Sequence, residues 1–188
     1  MIFKAYGFEY FEVVKMKCKS CKRNDEEFFL AFMPRGLCGD CFLKNLHKRI
    51  RKNIRLNRII KPKEKVEIIN DDTLNSKVLL HFLTEFEKDM PFTIVKKSKV
   101  KIYPDDLLDA DLAFLKKVML KDKLKIKRAP LNVIHPEEIK IYAKIHKLKA
   151  KKKVYSDDEK FIIKQLNILE KKYPSILFSI KKSYEKLK

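Results

Sequence analysis

The fold is decided by residues 65–83, which read KVEIINDDTLNSKVLLHFL. This stretch predicts a short buried strand, a polar loop and an amphipathic helix whose inward positions are Val78, Leu79, Phe82, Leu83 and Phe86. A strand, a loop and a helix in this order open an α/β unit. Loops in that position hold phosphates, because their backbone N–H groups and the helix N-terminus attract anions.

The chemistry of this loop is wrong for a phosphate site. Phosphate-binding loops need glycine so that the phosphate oxygens can approach the backbone closely, and residues 69–76 contain no glycine. Asp71 and Asp72 stand there instead, and their negative charges would repel a pyrophosphate. The stretch therefore has the position of a nucleotide loop without its chemistry.

Composition favours a helix-rich protein that contacts a polyanion. The chain has 188 residues, a formal net charge of +20 and three glycines. Such a charge attracts nucleic acid, although a lysine-rich genome would raise it as well. No apolar run approaches the roughly 20 residues of a membrane span, and the N-terminus lacks a signal-peptide layout. We therefore expect a cytoplasmic protein that makes no membrane contact.

All four cysteines lie in two pairs, Cys18 with Cys21 and Cys38 with Cys41, and sixteen residues separate the pairs. This spacing is typical of structural zinc sites. Four thiolates close a tetrahedron with no open position, so we predict one zinc ion that folds the module without doing chemistry. Disulfides are the alternative, which a cytosolic setting disfavours. We expect no iron–sulfur cluster in this chain.

A helix is predicted from Asp40 onward, with Leu43, Leu46, Ile50 and Ile54 on one face. Its opposite face is basic, and no acidic residue occurs from Phe42 through Lys63. Solvated helix faces usually mix the two signs, so a uniformly basic face favours an anionic partner, with a plain solvated face as the alternative. The predicted RNA-binding residues are Lys44, Lys48, Arg49, Arg51, Lys52, Arg55 and Arg58.

The remaining elements are predicted from periodicity. Aromatic residues within 1–15 indicate an edge strand or hairpin, and residues 92–95 and 100–103 indicate short strands. Residues 105–119 predict a helix with Leu108, Leu112, Leu115 and Met119 inward. Pro136 suits the first position of a further helix, whose predicted apolar stripe is Ile141, Tyr142, Ile145 and Leu148. Ser156 and Glu159 form a capping box for the next helix.

The decisive loop also resembles a known motif. It looks like the PP-loop of the ATP pyrophosphatases of tRNA 2-thiolation, which reads serine, glycine, glycine, any residue, aspartate, serine. On that motif Asp71 replaces the first serine, Asp72 and Thr73 replace the glycines, and Asn75 replaces the aspartate. Ser76 is retained. The resemblance implies a degenerate PP-loop at which no nucleotide is expected, and an ordinary strand–loop–helix without nucleotide ancestry is the alternative.

Other segments resemble the same family in the same order. They are the second cysteine pair with its arginine-rich helix, residues 127–131 with Glu137, Glu138 and the Tyr142-Ala143 pair, and the C-terminal helical pair over residues 166–187. Where the family's enzymes carry a catalytic cysteine before Pro-Tyr, this chain has Lys153.

The resemblance is closest to the non-catalytic second subunits of cytosolic tRNA 2-thiouridylases. It implies an α/β fold with a reduced, helix-rich PP-loop-type (Rossmann-like) core and an N-terminal four-cysteine zinc module. The implied domains are residues 1–60, with the zinc module and the basic helix, and residues 61–188, the truncated PP-loop-like part. The implied role is a tRNA-binding scaffold without catalytic residues or bound ATP, in a heterodimer with an active thiolase that makes 2-thiouridine at the wobble position.

Two other functions remain open from the sequence. A stand-alone zinc-containing protein that binds ribosomal or other structured RNA would show the same cysteines and basic helix. An enzyme is disfavoured, because His47, His81, His135 and His146 are scattered along the chain and fit surface or helix positions. The pairs Asp71/Asp72 and Asp105/Asp106 could bind magnesium, but turns and helix N-caps explain them more simply.

Overall fold

The computed structural model describes residues 17–23, 28–33, 36–120 and 127–186. The predicted strand or hairpin over residues 1–15 lies outside these residues. The described helices and strands follow in the order α1 Gly39–Leu56, β1 Lys65–Ile68, α2 Leu74–Phe86, β2 Thr93–Ile94, β3 Lys101–Ile102, α3 Leu107–Leu120, α4 Pro136–Ile145, α5 Asp157–Lys172 and α6 Ile176–Lys186. None of these helices is both long and apolar enough to cross a membrane.

The chain divides into two compact units between Phe42 and Leu43, within α1. In the first unit, Phe28 and Leu37 form an antiparallel bridge, and the ring centroids of Phe28 and Phe42 lie 5.5 Å apart. The second unit contains the sheet and the remaining helices. The boundary after residue 60 stays a prediction.

The sheet confirms the predicted α/β fold. β1 lies in the middle and pairs in parallel with β2 on one side and with β3 on the other. Because parallel strands end at the same edge, the loops that follow β1 and β3 meet there. The chain moves from β1 first to one side and then to the other, and such switch points are where open α/β sheets bind ligands.

The predicted inward face of α2 is confirmed. Its five apolar residues Val78, Leu79, Phe82, Leu83 and Phe86 are all buried. Burial of each such side chain contributes roughly 1.5–3 kcal/mol to folding. The strand–loop–helix unit is therefore the centre of the core as well as of the sequence.

A second apolar cluster joins α3, α5 and α6 through Leu107, Leu112, Ile162, Leu166 and Leu177. The prediction that Met119 lies inward is wrong, because its side chain is 58% exposed. The apolar stripe of α3 that packs against the cluster ends at Leu115, one turn earlier than the sequence period implies.

The buried face of α4 also differs from the prediction. Its buried residues are Glu138, Ile139, Tyr142 and Ala143, whereas Ile141 and Ile145 are only partly buried. The difference is electrostatic. Glu138 points inward and pairs with an arginine of α1, so the face of α4 that contains Glu138 is the buried one. An apolar period cannot reveal such a residue.

Helix capping follows the predicted chemistry. Ser156 and Glu159 form the expected capping box at α5. Asp106 and Asp109 exchange hydrogen bonds of 3.1 and 3.0 Å across the start of α3, each accepting from the other's backbone N–H. The cap interpretation of Asp106 is therefore confirmed.

Asp111 of α3 is a buried carboxyl group with a strongly raised pKa. Its side chain is 1% exposed, and its Oδ2 atom has no hydrogen-bond partner among the described residues. Desolvation raises its pKa to about 8, even though the charge of Lys181 opposes the shift. The folded protein therefore holds the Asp111 proton more tightly than the unfolded chain does.

We predict that Asp111→Asn stabilises the protein increasingly as pH rises from 5 to 8. The stabilising effect of the protonated carboxyl group is complete below pH 4 and is lost as pH rises through about 8, and an amide cannot ionise. At about 1.4 kcal/mol per pKa unit, the gain across three pH units is at most about 4 kcal/mol. Urea unfolding at both pH values measures it, with the exposed Asp158→Asn as control. A gain that does not change with pH would contradict the assignment.

Candidate functional site

Three backbone N–H groups of the loop after β1 donate to side chains of the same loop. The N–H of Asp72 donates to Asn70 Oδ1 at 3.0 Å and that of Thr73 to Asp71 Oδ1 at 3.1 Å. The N–H of Ser76 donates to Thr73 Oγ1 at 3.4 Å, which makes Thr73 the N-cap of α2. A phosphate-binding loop offers such groups to its ligand, and here loop side chains already occupy them.

Asp72 has a φ of 60°. This left-handed conformation favours glycine, although aspartate tolerates it better than most residues. The backbone thus has a glycine-type conformation at a position where the PP-loop motif has glycine. The side chain that replaces glycine is an acid, held by Lys77 Nζ at 2.7 Å.

Both loop acids are ionised at neutral pH. The hydrogen bond from Lys77 holds the pKa of Asp72 below its ordinary value. Desolvation works against ionisation of Asp71, but hydrogen bonds from the hydroxyl and N–H groups of Thr73 outweigh it and lower the pKa of Asp71. The N-terminus of α2 therefore already has two fixed negative charges beside it.

A cavity of about 490 Å³ lies beside this loop, at the carboxyl edge of the sheet. Lys153 and Asp109 line it and are paired at 2.6 Å, and Asn75 donates to the same Asp109 oxygen at 3.3 Å. Ser76 is fully buried and donates to the carbonyl of Thr73 at 2.9 Å. Lys153 is thus fixed in an ion pair that the sequence did not indicate.

The four predicted metal ligands come together in the first unit. The sulfur atoms of Cys18, Cys21, Cys38 and Cys41 all lie within 4.8 Å of one another. Those of Cys21 and Cys38 are 3.8 Å apart. Thiolates bound at about 2.3 Å to one tetrahedral zinc ion would stand about 3.8 Å from each other. The cluster therefore fits a metal ion.

The pKa values of the cysteine thiols also favour a bound cation. Backbone N–H groups of Cys21 and Cys38 lower the pKa of Cys18 to about 6. The hydroxyl of Ser20 favours the thiolate of Cys41, but desolvation and the three neighbouring sulfurs raise the pKa of Cys41 to about 11. One thiolate is thus readily formed while the fourth is opposed, and a bound metal ion removes that opposition.

An open groove of about 990 Å³ runs along α1 in the second unit, and we call it the basic groove. No acidic residue occurs among its described lining residues. Six of the seven predicted RNA-binding residues line it together with Lys61, namely Lys44, Lys48, Arg51, Lys52, Arg55 and Arg58. Most of the predicted basic face is therefore one continuous surface.

The floor of the basic groove is apolar. Ile54, Ile60 and Phe86 contribute buried side chains, and Met90 lies beside them. The Arg51 guanidinium lies 5.0 Å from the centroid of the Phe86 ring. The groove thus combines a cationic rim with a surface on which flat apolar groups can pack.

Arg49 does not belong to this groove. Its guanidinium donates to both carboxylate oxygens of Glu138, at 2.6 and 2.5 Å, and the side chain of Glu138 is 0% exposed. Removal of one partner from such a buried pair costs about 3–5 kcal/mol. Arg49 therefore holds α1 and α4 together, and its charge is neutralised within the fold.

Three of the four histidines come together in space, although they are scattered along the sequence. His81 Nδ1 lies 2.8 Å from the hydroxyl of Tyr142. The ring centroids of His47 and His146 lie 5.8 and 4.4 Å from that of Tyr142. These histidines belong to different helices or helix ends, so no spacing in the sequence could indicate the cluster. Desolvation, followed by the charge of Arg51, lowers the pKa of His47.

His135 is separate from this cluster. It is the N-cap of α4, is buried, and its Nε2 atom lies 2.7 Å from Glu170 Oε1. The structure therefore gives this histidine a structural role at a helix terminus.

No family model matches the sequence, and a search of curated proteins also finds no match. Among solved structures, the chain is similar to the U34-tRNA thiolase NcsA from Methanococcus maripaludis with its [4Fe-4S] cluster. The TM-score is 0.76 at 17% sequence identity, and the alignment covers 93% of this chain and 87% of that chain. The protein therefore has the helix-rich α/β fold of a PP-loop thiolase, with a four-cysteine cluster that can hold a metal ion.

Proposed function

We propose that the protein is a non-catalytic tRNA-binding subunit of a complex that makes 2-thiouridine at the tRNA wobble position. Its partner is an active PP-loop thiolase. The observation that carries the proposal is the loop after β1, which has the position of a nucleotide loop in a thiolase fold. The N–H groups of Asp72, Thr73 and Ser76 are bonded to side chains of the loop, and Asp71 and Asp72 are ionised.

The chemistry of the loop does not suit the ATP-dependent step of thiolation. Thiolation of this type activates the uridine by adenylation, which requires a loop that holds pyrophosphate. Here a pyrophosphate would meet two carboxylates, and the N–H groups of Asp72, Thr73 and Ser76 are already hydrogen-bonded. ATP is therefore bound and used by the partner.

The positions of the cysteines do not suit the sulfur-transfer step of thiolation. All four cysteines of the chain lie in the cluster of the first unit, and a closed tetrahedral site leaves no thiolate for sulfur delivery. Lys153 at the position of the catalytic cysteine is paired with Asp109. The sulfur is therefore supplied through the partner.

The proposed metal is one structural zinc ion. The spacing of the four sulfur atoms suits ligands of a single ion, whereas four irons of a cluster would hold their cysteines farther apart. The iron–sulfur cluster of the Methanococcus maripaludis thiolase is a property of that protein. In this chain the metal would organise the first unit through Cys18, Cys21, Cys38 and Cys41.

The basic groove supplies the proposed contact with tRNA. Seven cationic side chains surround it, and their field attracts and orients a polyanion. The same observation favours the alternative of a stand-alone zinc-containing RNA-binding protein. Affinity purification of the tagged protein separates the two functions, because a thiolase homologue accompanies it in the first and ribosomal RNA without a thiolase in the second.

We predict that the isolated protein binds neither ATP nor AMP at concentrations up to about millimolar, with or without magnesium. We also expect Asp71→Ala combined with Asp72→Ala to leave thiolation by the reconstituted complex largely intact. Titration calorimetry and a thiolation assay measure these outcomes, and the partner's own ATP binding is the positive control. Micromolar ATP binding, or loss of thiolation in a correctly folded double variant, would place this loop in the active site.

We predict one zinc per purified chain, no iron, and release of zinc by Cys38→Ser. Three thiolates bind zinc more weakly than four, and the first unit depends on the metal for its fold. Elemental analysis and near-ultraviolet circular dichroism measure both effects. Ser20→Ala changes the same segment without removing a sulfur ligand and should keep its zinc. Full zinc retention by Cys38→Ser would refute the four-cysteine site.

We predict that Lys48→Glu, Lys52→Glu and Arg55→Glu together weaken tRNA binding by on the order of tenfold or more and flatten its salt dependence. Each lost phosphate contact should reduce the slope of log affinity against log salt by roughly 1. The control reverses the exposed Lys97, Lys99 and Lys101, which lie outside the groove and change the net charge equally. If both triple variants lose affinity to the same extent, net charge rather than the groove binds tRNA.

A further inference from the structure

We propose that the basic groove captures an unpaired RNA base, which stacks on the guanidinium plane of Arg51. This inference rests on the proposed RNA-binding function and names the part of the RNA that the groove takes. The contacts of Arg51 are the first reason for it.

Arg51 is held in a fixed orientation before any ligand arrives. Its guanidinium lies 5.0 Å from the centroid of Phe86, and Nη2 donates to Asp89 Oδ2 at 2.8 Å. The side chain nevertheless stays 46% exposed. Guanidinium planes stack on unpaired bases in RNA-binding proteins. A side chain already ordered in this way loses little conformational entropy on binding.

The size and lining of the groove suit one nucleotide with its flanking phosphates. Its volume of about 990 Å³ is at the upper end of the range of small-ligand pockets. Ile54, Ile60 and Phe86 line the floor of the groove, and the Arg51 guanidinium over Phe86 is the exposed planar group on which a base can stack. Lys48, Lys52 and the other cations of the rim are placed around that floor, where phosphates on either side of the base would lie.

The neutral state of His47 is consistent with an apolar floor. His47 lines the same groove, and desolvation together with the positive charge of Arg51 lowers its pKa. The positive charge of the groove is thus carried by its lysines and arginines and not by His47. An RNA nucleotide likewise has a flat base and charged phosphates, which match the floor and the rim of the groove.

An unpaired base fits these features better than the other anions that a basic surface attracts. The bases of a duplex are stacked on one another, and the helix presents mainly phosphates and 2′-hydroxyl groups. A duplex could therefore contact the rim but not the floor. An acidic peptide would likewise neutralise the rim and leave the platform of Arg51 and Phe86 without a planar partner.

The test replaces the planar cation while keeping its charge. Arg51→Lys retains the positive charge but removes the guanidinium plane. The matched control is Arg23→Lys, at an exposed arginine that does not line the groove. The probes are an RNA hairpin with 2-aminopurine in its single-stranded loop, a blunt RNA duplex of the same length, and polyglutamate. Circular dichroism checks that each variant is folded.

Loss of one stacked base should weaken hairpin binding by Arg51→Lys on the order of tenfold. The salt slope should not change, because the number of cations is the same. Quenching of 2-aminopurine on binding should decrease in Arg51→Lys, whereas duplex binding by Arg51→Lys and all binding by Arg23→Lys should be unaltered.

Three results would overturn the inference. If Arg51→Lys keeps full hairpin affinity and quenching while the triple charge reversal still weakens binding, the groove contacts RNA without taking a base. If polyglutamate binds as tightly as the hairpin, the groove recognises charge alone. If the wild-type protein binds neither RNA, both this inference and the proposed RNA-binding function fail.

Discussion

The hydrogen bonds within the loop between β1 and α2 are the constraint on which the rest of the structure depends. Side-chain oxygens of Asn70, Asp71 and Thr73 accept from the loop's own N–H groups. They fix the angle at which α2 leaves the central strand and thereby place its buried face against the core. A phosphate can perform this organising role in a nucleotide-binding loop. Here side chains of the loop itself take these positions.

The second principle of the structure is a division of the positive charges into two kinds. Arg49 and Lys153 are bound to acids inside the fold, at Glu138 and Asp109, and hold elements together. The basic groove has no acid among its described lining residues, and its Arg51 is paired with the exposed Asp89. A net charge of +20 does not show which cations are paired inside the fold and which line the groove. The position of a residue on a helix face shows this only in part. Arg49 shows this, because it lies on the basic helix and serves the core.

Local patterns predicted the parts of the structure that local physics controls. The strand–loop–helix unit, the capping box at Ser156 and the cysteine cluster follow from periodicity, capping chemistry and metal-ligand spacing, all of which act over a few residues or through one shared ion. Six groove residues were predicted for the same reason, since a helix places residues at regular spacing on one face.

The features that the sequence did not reveal all depend on distant partners. The buried Glu138 of α4 is paired with Arg49 of α1, and the histidines around Tyr142 come from separate helices. The platform of Arg51 on Phe86 joins α1 to α2, and neither helix alone indicates it. The periodicity of apolar residues contains no information about such contacts. It predicts which side of a helix is buried, but not which residue of another helix lies against it.

The measurement that tests the central claim most directly is the 2-thiouridine content of tRNA from cells that lack this protein. Mass spectrometry of digested tRNA measures the modified nucleoside, and re-expression of the wild-type chain provides the control. The proposed function predicts that wobble 2-thiouridine disappears or falls strongly and that re-expression restores it. Unchanged 2-thiouridine in the absence of the protein would contradict a role in thiolation and leave a zinc-containing RNA-binding protein as the function to pursue.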